Sequence, residues 1–184
     1  MKIVRESLNE FHQTGDPLKS LDLGYEAWVH SIFDACGILR EDYYIDNESV
    51  FSNWLDFSDC TQLTELPNNL TVDTYLNLTG CTELIKLPSN LIVKGDLNLT
   101  DCIRLKELPD NFYVGGSLLL VNCIELKELP NNLRVDWTLD LDSCAKLTEL
   151  PMNFNAKYIN VNIKQTKLIE FIKNSKHKNK LVIK

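Results

Sequence analysis

Five cysteines are the residues of this sequence whose type and spacing point most directly to chemistry. They recur at one constant interval, at Cys60, Cys81, Cys102, Cys123 and Cys144. A tetrahedral zinc ion needs thiolates that converge on one point, as paired C-x-x-C motifs provide. One thiol in each repeat forms a line instead, with roughly one strand spacing between neighbours. We therefore expect reduced, buried and metal-free thiols with a structural role.

Catalytic side chains are not grouped anywhere in the sequence. The histidines are His12, His30 and His177, and no Ser, Cys or carboxylate constellation is paired with any of them. The glycine pair at positions 115–116 belongs to a repeat turn, and no Gly-rich phosphate loop is present. Nucleophilic catalysis requires a nucleophile with an adjacent base. We expect a protein that is not an enzyme and that uses no cofactor or metal.

Proline and asparagine follow the cysteines in the same register. The prolines are Pro67, Pro88, Pro109, Pro130 and Pro151, and the asparagines are Asn69, Asn90, Asn111, Asn132 and Asn153. Aligned on the cysteines, the units share the pattern C-x-x-L-x-x-L-P-x-N-L-x-V-x-x-x-L-x-L-x-x. Such a fixed period is typical of an array in which each unit packs only on its neighbours.

The L-x-L-x-x-C segment of each unit resembles the leucine-rich repeat. The matching residues are Leu76, Leu78 and Cys81, then Leu97, Leu99 and Cys102, then Leu118, Leu120 and Cys123, and finally Leu139, Leu141 and Cys144. The resemblance covers more than half of the chain. It implies an α/β fold, a leucine-rich repeat solenoid with a parallel β-sheet on one face.

The spacing of apolar residues predicts one strand in each turn of the solenoid. Leu91, Val93, Gly95, Leu97 and Leu99 have the period of two of an extended chain with one buried face. Two leucine rows are expected in the core, Leu63, Leu84, Leu105, Leu126 and Leu147 in one and Leu66, Leu87, Leu108, Leu129 and Leu150 in the other. Each proline holds the preceding leucine extended, so the other face should carry short extended or irregular return segments instead of helices.

The two ends of the chain depart from the repeat, as the open ends of an array require. Residues 1–48 are expected to form a helical N-terminal cap, with a helix over residues 25–36 that stops at Gly37 and a shorter helix near residues 3–13. The leucine-rich repeats span residues 49–157. Residues 158–184 form a degenerate C-terminal repeat and a lysine-rich tail that finishes as a helical turn, a short strand or disorder.

The N-terminal region carries a second resemblance. The runs VRESLNEF, PLKSLDLG and DYYID are similar to those of uncharacterised leucine-rich proteins of large tailed bacteriophages and some bacteria. This similarity implies a phage or bacterial origin and no particular activity.

Charge argues against two classes of partner. The chain has 19 basic and 26 acidic residues, a net charge of −7, which disfavours nucleic acid and an anionic membrane. The basic excess is confined to the tail, where nucleic acid could contact Lys173, Lys176, Lys178, Lys180 and Lys184, although the acidic body opposes it.

The compartment is predicted from what the sequence lacks. No apolar run approaches the roughly 18 to 20 residues of a membrane span, and the start of the chain has no apolar signal core. We expect a cytoplasmic protein, in the bacterial host cytoplasm if it is encoded by a phage. In that reducing compartment all six cysteines, Cys36 included, should be free thiols.

The asparagine row is assigned a structural role. An amide that points inward can satisfy buried backbone groups of neighbouring coils with both its donor and its acceptor. We therefore expect these side chains inside the solenoid and not on a binding strip.

The outward positions of the strands are the predicted protein-binding site. They lie between inward leucines and vary from unit to unit, whereas the core positions do not. Aromatic residues with a polar rim favour an interface over plain solvated surface. The predicted site residues are Trp54, Tyr75, Asn77, Asp96, Asn98, Leu119, Val121 and Asp140.

Together these features predict a non-enzymatic scaffold that binds another protein of unknown identity through its strand face. The alternative is a structural or self-assembling accessory protein of a phage or bacterium. The oligomeric state stays open.

Overall fold

The computed structural model describes residues 25–46 and 49–184. The α-helices are α1 (Tyr25–Ala35) and α2 (Thr166–Lys173), and 3₁₀ turns cover Arg40–Asp42 and Lys178–Lys180. The strands are β1 (Tyr44–Asp46), β2 (Ser49–Asp56), β3 (Leu70–Asn77), β4 (Ile92–Val93), β5 (Asp96–Asn98), β6 (Tyr113–Val114), β7 (Leu118–Leu119), β8 (Arg134–Val135), β9 (Thr138–Asp140), β10 (Tyr158–Val161) and β11 (Leu181–Ile183). No helix in these ranges has the length and apolar content needed to cross a membrane. The helix predicted near residues 3–13 lies outside the described residues.

Strands from successive turns pair in parallel and form two ladders of one sheet. The first ladder runs through the L-x-L segments in the order β2, β3, β5, β7, β9, β10 and β11. The second runs through the valine segments in the order β3, β4, β6 and β8. Because Leu76, Leu97, Leu118 and Leu139 lie opposite one another, the turn length equals the interval of the cysteine repeat.

The core is a stack of leucines, as predicted. Every leucine of the two rows is buried. The return segments contain no helix between Cys60 and Asn155. One isolated parallel bridge joins Lys86 to Glu107 in these segments, and a second, from Arg134 to Asn155, continues the second ladder. The prediction of short extended or irregular return segments instead of helices is confirmed between Cys60 and Asn155, where proline removes the amide that a helix needs.

Each turn bends at corners where the backbone is left-handed. The residues just before the cysteines have φ between 58° and 72°, at Asp59, Gly80, Asp101, Asn122 and Ser143. A second corner has φ between 55° and 62°, at Asn69, Asn111 and Asn132. Most side chains clash with the backbone in this region, whereas glycine has no Cβ and the short side chains of Asn and Asp tolerate it.

The asparagine row does not point inward, contrary to the prediction. Asn90, Asn111, Asn132 and Asn153 are exposed. Their amides instead pair along the outside, where Asn90 Nδ2 donates to Asn69 Oδ1 at 2.9 Å and Asn132 Nδ2 donates to Asn111 Oδ1 at 3.1 Å. At the left-handed corners asparagine is explained by backbone conformation and not by buried hydrogen bonding.

Helix α1 packs against the first turn of the solenoid. Val29 and Phe33 are fully buried, and the centroids of the Phe33 and Phe57 rings are 5.2 Å apart in an edge-to-face arrangement. Gln62 Nε2 donates to the Ala35 carbonyl at 2.7 Å. Gly37 follows the helix with φ of 77°, so the predicted stop at this residue is confirmed.

A disulfide also joins α1 to the first turn. Cys36 and Cys60 are bonded, with their Cα atoms 5.5 Å apart. The prediction that all six cysteines are free thiols is therefore wrong for this pair, whereas Cys81, Cys102, Cys123 and Cys144 are free and buried.

The last turn contains a helix that the repeat pattern does not predict. Helix α2 replaces the extended return segment, because Ile172 stands where earlier turns have proline. Its residues Leu168, Ile169 and Ile172 are buried. The lysine-rich tail then forms the 3₁₀ turn at Lys178–Lys180 and strand β11, which pairs in parallel with β10. Two of the three predicted forms of the tail, the turn and the short strand, are thus present together.

Candidate functional site: the strand face

The outward side chains of the first ladder make one surface, which we call the strand face. Parallel pairing places equivalent residues of successive turns side by side. One row contains Trp54, Tyr75, Asp96, Ser117, Thr138 and Tyr158, and the next contains Asp56, Asn77, Asn98, Leu119, Asp140 and Asn160. Val121 belongs to a third row, after the second leucine of each L-x-L pair. The fold thus brings the eight predicted site residues onto one side of the sheet.

Aromatic rings lie at the N-terminal end of the strand face. Trp54 is opposite Tyr75 in the ladder and is 52% exposed, and Tyr75 is half-buried. The Tyr75 hydroxyl accepts a hydrogen bond from Asn98 Nδ2 at 3.4 Å. Large aromatic side chains on a sheet offer a partner a large contact area, and they lose little conformational entropy when the partner binds.

Hydrogen bonds fix the polar side chains of the strand face. Asn77 Nδ2 donates to Asp56 Oδ1 at 2.9 Å, and Asn77 Oδ1 accepts from Thr79 Oγ1 at 2.7 Å. Asp96 Oδ1 accepts from the Ser117 amide at 2.6 Å. Side chains that are already ordered reduce the entropic cost of binding a partner.

Leu119 and Val121 form an apolar spot near the middle of the strand face. Both are half-buried, and the equivalent residues of the preceding turn are Asn98 and Thr100. The apolar character is therefore local to one turn and is not a requirement of the repeat.

Asp140 differs from the other predicted site residues, because it is not available to solvent. Its side chain is buried, with 4% of the residue exposed. Lys184 Nζ lies 2.5 Å from Asp140 Oδ2, and Asn160 Nδ2 donates to the same oxygen at 3.2 Å. The Asp142 amide donates to Asp140 Oδ1 at 3.1 Å. The expectation that Asp140 is a free outward residue is corrected, since the tail strand β11 brings a lysine over it.

The four free cysteines of the repeat each form the same kind of buried hydrogen bond. Each thiol donates to the backbone carbonyl of the residue 24 positions earlier, with Sγ to oxygen distances of 3.2, 3.1, 3.2 and 3.0 Å for Cys81, Cys102, Cys123 and Cys144. In the last turn Gln165 stands at the cysteine position, and its Nε2 donates to Leu141 O at 2.8 Å across the same offset. In the first turn Cys60 meets Cys36 at that offset and forms the disulfide instead.

Burial keeps these thiols protonated. Desolvation raises the pKa of Cys81 and of Cys144 to about 12, and it also raises the pKa of Cys102 and Cys123. Metal ligation and nucleophilic attack both need the thiolate. In the described ranges no three His, Cys, Asp or Glu side chains meet as a metal site.

The two histidines of the described ranges lie at opposite ends of the solenoid. His30 Nδ1 is 2.6 Å from the Tyr43 hydroxyl, beside α1. His177 packs against Phe154 with ring centroids 4.2 Å apart and ring planes tilted by 42°, and burial lowers the pKa of His177. Neither histidine lies on the strand face.

Tyr158 is an aromatic residue of the strand face that is not among the eight predicted site residues. It lies opposite Thr138, in the row of Trp54 and Tyr75, and is 44% exposed. Tyr158 lies one residue earlier in the sequence than the repeat interval predicts. A count in constant steps from Thr138 therefore reaches Ile159 instead. Aligning the Ile159, Val161 alternation with Leu139, Leu141 would have found it.

Paired strands, stacked leucines and a constant turn length define the class of protein, a parallel β-solenoid. Its turn of about 21 residues lies at the short end of the range of solenoid repeats. Comparisons of the chain with protein-family models, with curated proteins and with solved structures find no match.

Proposed function

We propose that this solenoid is a non-enzymatic scaffold that binds another protein through its strand face. The observation that supports the proposal is the juxtaposition of Trp54, Tyr75, Leu119 and Val121 on one rigid sheet whose polar side chains are already held by hydrogen bonds. Exposed aromatics near an apolar spot and a polar rim are the usual composition of a protein interface. No cofactor enters this function.

We further propose that the chain is a leucine-rich repeat protein that acts in the cytoplasm of a bacterium or of a phage-infected bacterium. The L-x-L-x-x-C segments support the first part, because they coincide with the first ladder and with the buried cysteine row. The similarity of the N-terminal region to phage and bacterial leucine-rich proteins supports the second.

The test is affinity capture from a bacterial lysate followed by measurement with the purified partner. Tyr75→Ala and Leu119→Ala should each weaken binding by about 1 kcal/mol or more, because each removes an anchoring side chain of the proposed interface. Lys106→Ala and Glu128→Ala, on the return side, are the matched controls and should change it little.

The opposite ranking would contradict the proposal. If Lys106→Ala and Glu128→Ala abolish capture while Tyr75→Ala and Leu119→Ala have no effect, the interface lies on the return side. Thermal unfolding of each variant separates lost binding from lost folding.

The alternative function is self-assembly through the ends of the solenoid. Strand β11 is the last strand of the first ladder, and its Val182 and Ile183 are each 42% exposed. An exposed apolar edge strand is a site for pairing with another chain. A concentration-dependent oligomer in light scattering that is lost in Val182→Lys would favour this alternative over a separate partner.

A further inference from the structure

A cleft opens at the N-terminal end of the strand face, beside Trp54. It has a volume of about 350 Å³ and lies between residues 37–42 and strand β2. Ile38, Leu39 and Trp54 supply apolar lining, and Asp42 and Asp56 supply two carboxylates. None of the described side chains that line the cleft is basic. Among the described residues, its chemistry therefore combines an exposed indole with two carboxylates.

Several acidic residues of the later turns are paired with a basic side chain of a neighbouring turn. Asp73 pairs with Lys94 at 2.7 Å, Glu125 pairs with Lys146 at 2.7 Å, and Glu83 pairs with Arg104. Asp42 and Asp56 make no ion pair among the described residues, and each accepts hydrogen bonds only from uncharged donors. Leu39 N donates to Asp42 Oδ2 at 3.1 Å, and Ser58 N and Asn77 Nδ2 each donate to Asp56 Oδ1 at 2.9 Å.

At the other end of the strand face, a lysine of the chain itself pairs with one carboxylate of this row. Asp140 occupies the same repeat position as Asp56, between the two inward residues of its strand. There Lys184, carried in by the extended strand β11, places its ammonium 2.5 Å from the Asp140 carboxylate. A lysine on an extended segment is thus already seated at one copy of the position, and the copy at Asp56 is exposed and lies beside Trp54.

We infer that the cleft receives the cationic side chain of a lysine or arginine from an extended basic segment of a partner protein. The indole of Trp54 packs on the cation and its alkyl stem, while Asp42 and Asp56 accept its hydrogen bonds. The inference rests on the proposed function of the strand face and names the chemistry of the partner. Charge complementarity carries it, because the side chain is opposite in charge to the two described carboxylates of the cleft.

The test uses the full-length protein and fluorescein-labelled peptides in fluorescence anisotropy. A peptide of alternating lysine and serine and one of alternating arginine and serine should bind, and added salt should weaken the binding. A peptide of alternating citrulline and serine keeps the shape of arginine without its charge, and it should bind at least about tenfold more weakly.

Point variants locate the binding site. Asp42→Asn and Asp56→Asn should each weaken binding of the lysine peptide about tenfold, and Trp54→Ala should weaken it comparably. Asp56→Asn retains an Oδ1 acceptor for Ser58 and Asn77, so the strand should fold normally. Glu149→Gln, an exposed carboxylate on the return side that lines neither this cleft nor the one beside Asp110, is the matched control, because it removes the same charge and should leave binding unchanged.

Several outcomes would overturn the inference. An equal loss in Glu149→Gln would mean that peptide binding depends only on the net charge of the protein, and equal binding of the citrulline peptide would mean that charge is not recognised. Self-association that is weakened by Asp56→Asn would make a second copy of this chain the occupant. If a captured partner depends on Tyr75 and Leu119 but not on Asp42, Asp56 or Trp54, the proposed function survives and the cleft has no part in it.

Discussion

At the scale of single residues, the cysteine row shows how a reactive residue type is used for packing. Each thiol is fully or almost fully buried and donates to a backbone carbonyl of the turn before it. The side-chain amide of Gln165 donates the equivalent hydrogen bond, so this position needs a hydrogen-bond donor and does not need a sulfur atom. The thiol is small enough to fit among leucines and its desolvation costs less than that of a hydroxyl.

The buried thiols predict a loss of stability at alkaline pH. The pKa of Cys81 rises from about 9 to about 12 on folding. A raised folded-state pKa stabilises the fold fully below about pH 9 and progressively less as pH rises from 9 towards 12, because the unfolded chain loses its proton first. Each such thiol should lower the free energy of unfolding by about 1.4 kcal/mol per pH unit in this window.

Urea denaturation of the wild type and of Cys81→Ala between about pH 8 and 11 measures this effect. Other groups titrate in both proteins, so the difference between their slopes isolates one thiol. The variant should show the shallower slope. Parallel slopes would mean that Cys81 is accessible to solvent in the folded protein.

At the scale of elements, strand β11 completes the sheet and neutralises a carboxylate of the preceding turns. Lys184 is the only basic residue among the described side chains that pairs with Asp140, and the lysine itself is half-exposed. Solvent screens such a pair, so the pair contributes little to the free energy of unfolding. Removing the lysine nevertheless leaves the buried carboxylate with only uncharged donors.

Lys184→Met should therefore lower the free energy of unfolding by about 1 to 2 kcal/mol. Adding Asp140→Asn should recover part of that loss, because the neutral amide needs no cation. Chemical denaturation of the two single variants and the double variant gives the coupling between the residues, with Lys178→Met as an exposed control. A coupling of zero would show that the ion pair contributes nothing in solution.

The repeat elements could be predicted from the sequence because each rests on a strict local rule. Proline forbids a helix in the return leg, and the period of two fixes the inward leucines. The asparagine row was harder, since one residue type serves buried hydrogen bonding or a left-handed corner, and only φ distinguishes the two. The Cys36–Cys60 bond and the cover over Asp140 depend on how the irregular ends pack, which a repeat pattern does not encode. The cleft at Trp54 likewise needs the position of residues 37–42.

At the scale of the whole molecule, the disulfide connects the helical end to the solenoid. It joins residues 24 apart in the sequence, so it restricts the unfolded chain over a loop of that length. Disulfides persist in oxidising surroundings, whereas the proposed cytoplasmic location is reducing. The stability of the N-terminal end therefore depends on the redox conditions in which the protein is held.

Reduction of the disulfide should lower the free energy of unfolding by about 3 kcal/mol, because the unfolded chain regains the freedom that the loop removes. Urea denaturation with and without dithiothreitol measures this difference. The double variant Cys36→Ala, Cys60→Ala should not respond to the reductant. An identical response of wild type and double variant would show that dithiothreitol acts elsewhere.

The constant turn length determines which changes in the length of the gene the fold can accommodate. Because each internal turn pairs only with the turn before and the turn after, an in-frame duplication or loss of the coding sequence for one turn leaves every remaining contact type intact. Such an event would move the acidic cleft and the lysine-bearing strand apart or together by one strand spacing, about 4.8 Å. A gene of this kind can vary the length of its product in equal steps of one turn.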